Sequence, residues 1–283
     1  MNDAFVALGF AVFIWWFSTG IVLLLNRLSR SAVTRSLVLS SLLGVAALVG
    51  LAHTAQQTGV AGAYCAFTCA LLAWGWNELT FLTGSITGPR TTALPSEAVG
   101  WHRFVQSLRA VLWHELALLL VGCAIVAINW DAPNQVGSGT YLVLWTMRTS
   151  AKLNLFLGVR NLSEEFLPAH LAYLESFFRR RRLNAFFPFA VLLAAGGLWW
   201  LVAYAASPMV SQAQAVGAVL VGTLLALAIV EHLMLVLPVD TTALWRWALR
   251  KQKIAHSAEP PHVQAVPVMA PTLDTHDKLF QIH

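Results

Sequence analysis

Residues 4–25 read AFVALGFAVFIWWFSTGIVLLL and contain no charged side chain. A helix needs about 20 mostly apolar residues to cross the roughly 30 Å of hydrocarbon in a bilayer. The preceding Met1-Asn2-Asp3 lacks the basic segment that opens a secretory signal peptide. We therefore predict that this stretch is an uncleaved transmembrane helix.

Six further apolar runs of similar length follow along the chain. The third, fourth and fifth runs contain ionisable residues, so hydropathy alone supports them less strongly as membrane helices. Together the seven runs predict an all-α, polytopic membrane helical bundle of about seven transmembrane helices. The predicted helices are about 4–25, 36–56, 61–83, 105–129, 140–159, 185–206 and 214–237, in a membrane domain of residues 1–253.

The composition of the whole chain is that of a membrane protein. Hydrophobic residues make up 58% of it and charged residues only 11%, whereas a soluble domain carries about 25% charged residues. The formal net charge is +5. Because the basic residues lie between apolar runs, we expect anionic lipids as partners and no nucleic acid.

The basic residues also predict the orientation, because Lys and Arg that flank membrane helices are retained in the cytoplasm. Of the 18 Lys and Arg residues, 16 lie in or next to the segments that follow the first, third, fifth and seventh runs, which share one side of the membrane. The opposite connections, near 57–60, 130–139 and 207–213, contain none. We predict that the N-terminus lies outside and the C-terminus in the cytoplasm of a bacterial inner membrane.

Two cytoplasmic segments differ in character from the membrane helices. Residues near 163–182 predict an interfacial amphipathic helix, with Glu164 and Glu165 in its first turn and four arginines at its end. A solvated linker with an orienting basic cluster is the alternative. Prolines and few large apolar residues predict a disordered cytoplasmic tail at 254–283.

Ionisable residues also occur inside the predicted helices, where charge is costly and marks function or buried pairing. At about 1.5 Å per residue, those of the third, fourth, fifth and seventh helices share the cytoplasmic half of the bilayer. We predict that they form a polar cleft in which Arg148 and Lys152 each lie within ion-pair reach of a carboxylate among Glu78, Glu115 and Glu231. The alternative is that these groups do no more than pair with each other and hold the helices in register. The predicted binding residues are Glu78, His114, Glu115, Arg148, Lys152, Asn154, Glu231 and His232.

A metal site is another interpretation of nearly the same residues. Its ligands would come from Glu78, His114, Glu115, His170, Glu231 and His232. The spacing does not favour it, because His114-Glu115 has no second histidine four residues later and the predicted helices contain no Glu-x-x-His pair of the kind found in di-iron bundles. No catalytic residue is assigned.

The stretches that carry these residues resemble a known family. They are Trp74-Gly75-Trp76-Asn77-Glu78, Gly88-Pro89-Arg90, His114-Glu115, MRTSAKLNLFLGV at 147–159 and PAHLAYL at 168–174. In this order they resemble the photosynthetic complex assembly protein family PuhE of purple bacteria. The resemblance covers about residues 74–178, and the hydropathy profile extends it to about residue 250.

The resemblance implies a factor for assembly of the photosynthetic reaction-centre/light-harvesting 1 complex, or one that modulates bacteriochlorophyll supply to it. It implies partners among the subunits of that complex or the pigment-synthesis proteins, in the intracytoplasmic membrane. Bacteriochlorophyll or a precursor is the cofactor that it suggests. We expect no enzymatic activity; the alternative is a membrane-embedded metal-dependent enzyme acting on a tetrapyrrole, isoprenoid or quinone.

Overall fold

Seven long helices make up most of the chain in a computed structural model, which describes residues 2–162, 164–239 and 241–249. They are α1 (Asn2–Leu25), α2 (Arg30–Thr54), α3 (Val60–Leu82), α4 (Gly100–Ile128), α5 (Val136–Leu157), α6 (Phe186–Ala205) and α7 (Gln212–Met234). Within these described ranges there is no strand, only an isolated bridge between Val159 and Arg180. The predicted all-α membrane bundle is confirmed.

Five of the helices, namely α1, α2, α4, α6 and α7, are long and apolar enough to cross a membrane. The other two, α3 and α5, contain Glu78, Arg148 and Lys152 among other polar residues. Each observed helix overlaps one predicted run. The starts differ most, since α2 begins at Arg30 rather than 36 and α4 at Gly100 rather than 105. Hydropathy marks the apolar part of a helix, whereas its backbone hydrogen bonds continue into the polar interface.

The helices pack around α3 and α5. Helix α2 lies along α3, α1 lies against α7, and α6 packs mainly on α7. One apolar core joins α1, α3 and α7 and includes Phe67 and Leu220. A second core joins α2, α3, α4 and α5 and includes Leu51, Leu118 and Tyr141. The interior position of α3 and α5 explains how a bundle in lipid accommodates their polar side chains.

The segment between α5 and α6 differs from the prediction. Instead of one amphipathic α-helix near 163–182, it contains two 3₁₀ helices, Glu164–Phe166 and Ala169–Phe177. Pro168 separates them, because proline has no N–H to donate and disfavours helical backbone in the residue before it. The side chains of Leu171 and Leu174 are buried against the last turns of α1 and α3 and against Ala110 of α4. The segment is therefore a cap on the bundle rather than a helix resting on lipid.

A short segment after α7 returns to α1. It consists of a 3₁₀ helix, Thr241–Trp245, and one helical turn, Arg246–Leu249. The indole N–H of Trp245 donates to the carbonyl of Trp16 (3.2 Å), and the Trp16 indole donates to the carbonyl of Leu244 (3.0 Å). The tail predicted to be disordered, 254–283, lies outside the described residues.

Candidate functional site

Two ion pairs lie in the interior of the bundle. The guanidinium of Arg148 on α5 donates to the Glu78 carboxylate on α3 at 3.0 Å. The Lys152 ammonium, also on α5, donates to the Glu115 carboxylate on α4 at 2.6 Å. We call these four residues the ion-pair cluster. It joins three helices, and the predicted pairing of both cations with intramembrane carboxylates is confirmed.

The spacing of the two cations explains why α5 joins both neighbours. Arg148 and Lys152 are four residues apart and therefore share one face of their helix. The ion-pair cluster is only partly buried: 41% of the Arg148 side chain and 14% of the Glu78 side chain are exposed. The Lys152 and Glu115 side chains are each 23% exposed. Charges in this setting need a partner or water, because hydrocarbon offers neither.

His114 lies beside the cluster and is completely buried. Its ring packs on that of Phe81, with 4.4 Å between the ring centroids. The Lys152 ammonium lies 6.0 Å from the centroid of the same Phe81 ring. Neither ring nitrogen of His114 has a hydrogen-bond partner among the described residues. A buried polar side chain without a hydrogen-bond partner is rare in folded proteins.

The loop after α3 touches α4 at the same level. The backbone N–H of His114 donates to the Thr87 carbonyl (2.9 Å), and the N–H of Arg90 donates to the Arg109 carbonyl (3.3 Å). Gly88 lies between these contacts, where a Cβ atom would come 2.1 Å from the Arg109 oxygen. Only glycine permits this approach. The Gly88-Pro89-Arg90 and His114-Glu115 motifs are thus neighbours in space.

A second polar group lies on the opposite face of α5. The Asn154 side-chain oxygen accepts from Asn184, which precedes α6, at 3.0 Å. His232 on α7 contacts the Ser150 hydroxyl (2.9 Å) through Nε2 and the Ala228 carbonyl (2.9 Å) through Nδ1. The carbonyl accepts only, so Nδ1 carries a proton, and in a neutral ring Nε2 accepts from Ser150.

The eight predicted binding residues therefore do not form one group. Positions two apart on a helix point about 200° away from each other. For this reason Arg148 and Lys152 face α3 and α4, whereas Ser150 and Asn154 face α7 and the start of α6. His232 belongs to the second group and not to the ion-pair cluster.

Glu231 stands apart from both groups. Its side chain is exposed. It forms no ion pair with any residue that the structure describes.

The alternative metal ligands are distributed in the same way. His170 lies in the cap, where its Nε2 contacts the carbonyl of Leu82 at 3.0 Å. Across the described ranges, no three His, Cys, Asp or Glu side chains lie close enough together to hold a metal ion. The six proposed ligands thus have no common centre.

Arg103 is an important residue that the sequence did not single out. It is buried near the start of α4, and its guanidinium donates to the carbonyls of Phe156 (3.0 Å) and Phe177 (2.5 Å). The guanidinium carbon also lies 3.9 Å above the centre of the Phe156 ring. Arg103 thereby joins α4, the end of α5 and the cap. In the sequence it is indistinguishable from the other arginines that flank the membrane helices.

The fold and these contacts define a class: a polytopic helical membrane protein with ion pairs between helices in its interior. The chain belongs to the family described as "Protein of unknown function (DUF3623)", whose model matches residues 1–256.

One relative is similar over nearly its whole length. It is the "Uncharacterized 30.4 kDa protein in puhA 5'region" of Rhodobacter capsulatus, 39% identical over 257 residues. The alignment covers 88% of this chain and 92% of the relative. No solved structure matches the chain.

Proposed function

We propose that this protein is an inner-membrane factor for assembly of the photosynthetic reaction-centre/light-harvesting 1 complex, or for modulating bacteriochlorophyll supply to it. The observation that carries the proposal is the relative, whose name places it in the 5' region of puhA. That designation shares its prefix with the PuhE family, which the motifs of this chain resemble. The subunits of the complex or the pigment-synthesis proteins are the proposed partners, together with anionic lipids.

The geometry supports a role in holding and presenting helices. Each cation of the ion-pair cluster is engaged by a carboxylate of a neighbouring helix, and Gly88 fixes the loop after α3 against α4. These contacts fall in the stretches that carry the resemblance. The metalloenzyme alternative has no observation in its favour, because its ligands lack a common centre among the described residues.

The test is a strain of a purple bacterium that lacks the gene and carries plasmid copies of the protein. The His114→Ala variant is compared with His53→Ala, which changes an exposed histidine at the outer end of α2. We expect His114→Ala to lower the near-infrared absorption of the assembled complex relative to wild type, and His53→Ala to leave it unchanged. Chromatography of pigment extracts should show the parental set of compounds.

Two results would contradict the proposal. A normal amount of complex in the strain without the gene would exclude a role in assembly or supply. One new pigment, quinone or isoprenoid compound in the His114→Ala extract would show a blocked reaction and therefore an enzyme.

A further inference from the structure

Four consecutive arginines, Arg179 to Arg182, follow the cap and lead to α6. We call these four residues the arginine strap. Its backbone is hydrogen-bonded to the end of α5 rather than free: the N–H of Arg179 donates to the Leu155 carbonyl (3.0 Å). The N–H of Val159 then donates to the Arg179 carbonyl (3.1 Å), and that of Arg181 donates to the Val159 carbonyl (3.0 Å). The strap therefore has a fixed position across the end of α5.

Side chains secure the same junction. The Asn184 amide donates to the Gly158 carbonyl (2.9 Å) and to the Asn154 side-chain oxygen (3.0 Å). Gly158 has a φ of 119°, and a Cβ atom there would come 2.8 Å from Cγ and Cδ of Arg181. The stem of the Arg181 side chain thus lies directly over the last backbone turn of α5, and the fold itself determines where this guanidinium starts.

Positive charge is in excess around the strap. The connection between α5 and α6 contains five arginines and three glutamates, and Glu164 pairs with Arg180 at 2.8 Å. Buried Arg103 adds a sixth positive charge beside the strap, since it donates to the Phe156 and Phe177 carbonyls. In the part of the chain that the structure describes, the remaining arginines of the connection form no ion pair: Arg160, Arg179, Arg181 and Arg182.

Exposed apolar side chains adjoin the arginines. The strap lies between the last residue of α5, Leu157, and the first of α6, Phe186, two helices of the membrane bundle. Leu157, Leu183 and Phe189 are exposed on these neighbouring segments. Guanidinium groups bind phosphate oxygens through charge-assisted hydrogen bonds, and apolar side chains beside them suit acyl chains. A soluble anion would use the arginines alone, whereas a phospholipid uses both kinds of surface.

We infer that the arginine strap binds the phosphate headgroup of an anionic phospholipid, with its acyl chains along the exposed apolar side chains of α5 and α6. Arg179, Arg181 and Arg182 carry the site, because none of them is engaged by a carboxylate of the described residues. A guanidinium can donate two parallel hydrogen bonds to one phosphate. The inference rests on the proposed anionic-lipid partners, to which it gives a definite place, and not on the proposed role in photosynthesis.

The test is native mass spectrometry of the purified full-length protein in detergent, titrated with phosphatidylglycerol or, separately, with phosphatidylcholine. The wild type should bind phosphatidylglycerol more tightly; equal affinity for the two lipids would overturn the inference. Glycerol phosphate, which has the anionic phosphate without acyl chains, is added as a competitor. At the same concentration as the lipid it should displace little phosphatidylglycerol. Complete displacement would show a site for a soluble phosphate and would overturn the lipid assignment.

Variants assign the binding to the strap. A basic residue near an anionic lipid surface contributes roughly a factor of five in affinity. Arg182→Gln, which changes an exposed side chain, should therefore weaken phosphatidylglycerol binding roughly fivefold, and Arg181→Gln with Arg182→Gln roughly 25-fold. Both variants should elute as wild type in gel filtration, because the strap is held by backbone atoms.

Arg30→Gln with Arg35→Gln is the matched control. It removes two exposed arginines near the start of α2, on the same predicted side of the membrane, and should leave the affinity for phosphatidylglycerol nearly unchanged. Wild-type affinity in the folded strap variants would overturn the site. The same loss in both double variants would overturn it too, because the effect would then be one of total charge.

Discussion

At the scale of single residues, Gly88 is the point at which a loop and a membrane helix come into direct backbone contact. Its neighbours are the carbonyls of Arg109 and Ala110, at 2.1 and 2.7 Å from where a Cβ atom would lie. These are backbone atoms of a long helix, which cannot move aside as a flexible side chain can. The contact also fixes the level at which His114 enters the interior.

We expect Gly88→Ala to destabilise the protein by about 1–3 kcal/mol, as overpacking commonly does, or by more. The measurement is the midpoint of thermal unfolding in detergent, with the amount of protein in membranes as a second readout. Gly75→Ala is the matched control, because a Cβ at that helical glycine meets nothing within 4 Å. An unchanged midpoint for Gly88→Ala would show that the loop does not lie against α4.

The Lys152–Glu115 pair gives a second prediction at this scale. Lys152→Met should lower stability by on the order of 3 kcal/mol, because it leaves the Glu115 charge in the bundle without a partner. Glu115→Gln together with Lys152→Met should recover most of the loss, since neither charge remains. Arg180→Ala is the control, because the Arg180–Glu164 pair is exposed and such pairs contribute about 0–1 kcal/mol. Additive losses in the double variant would argue against the pair.

At the scale of elements, one buried side chain joins the cap to two helices of the bundle. Arg103 on α4 satisfies a carbonyl in the last turn of α5 and the carbonyl of Phe177 at the end of the 3₁₀ helix. Carbonyls at the end of a helix lack partners within it, so a buried cation is a suitable donor. His170 adds a contact from the cap to the end of α3.

We expect Arg103→Ala to loosen the cap and to speed tryptic cleavage at the arginines of 179–182. Limited proteolysis of the protein in nanodiscs measures this, by the rate at which the full-length band disappears. Arg109→Ala provides the comparison, because Arg109 lies on the same helix with an exposed side chain. Equal cleavage rates in the two variants would mean that Arg103 does not secure the cap.

The same elements show what the sequence can predict. Seven apolar runs are sufficient to locate seven helices, because a membrane helix must satisfy its own backbone and expose apolar side chains. The shared depth of the charges predicted that they pair. The sequence does not show which carboxylate pairs with Arg148, or that Gly88 lies against α4. Both depend on packing between segments that are distant in sequence. The 3₁₀ cap was missed because its apolar spacing also fits an amphipathic α-helix interrupted at Pro168.

At the scale of the whole molecule, the distribution of basic residues predicts that the two termini lie on opposite sides of the membrane. All 16 Lys and Arg residues outside the fifth run belong to one side, and seven crossings require opposite termini. A reporter that is active only in the cytoplasm should work when fused after residue 249 and fail when fused before residue 2. Activity at both positions would require an even number of crossings.

The central claim is that the ion-pair cluster serves to hold the bundle in the form that assembly requires. The most direct measurement is the near-infrared absorption of the reaction-centre/light-harvesting 1 complex in the strain without the gene, complemented with Glu115→Gln, Lys152→Met or both. Each single variant should reduce the amount of complex, and the double variant should restore most of it, because it leaves no unpaired charge. A double variant that is present in the membrane at the wild-type amount but as defective as the single ones would contradict the claim, because the charged groups themselves would then be needed for function.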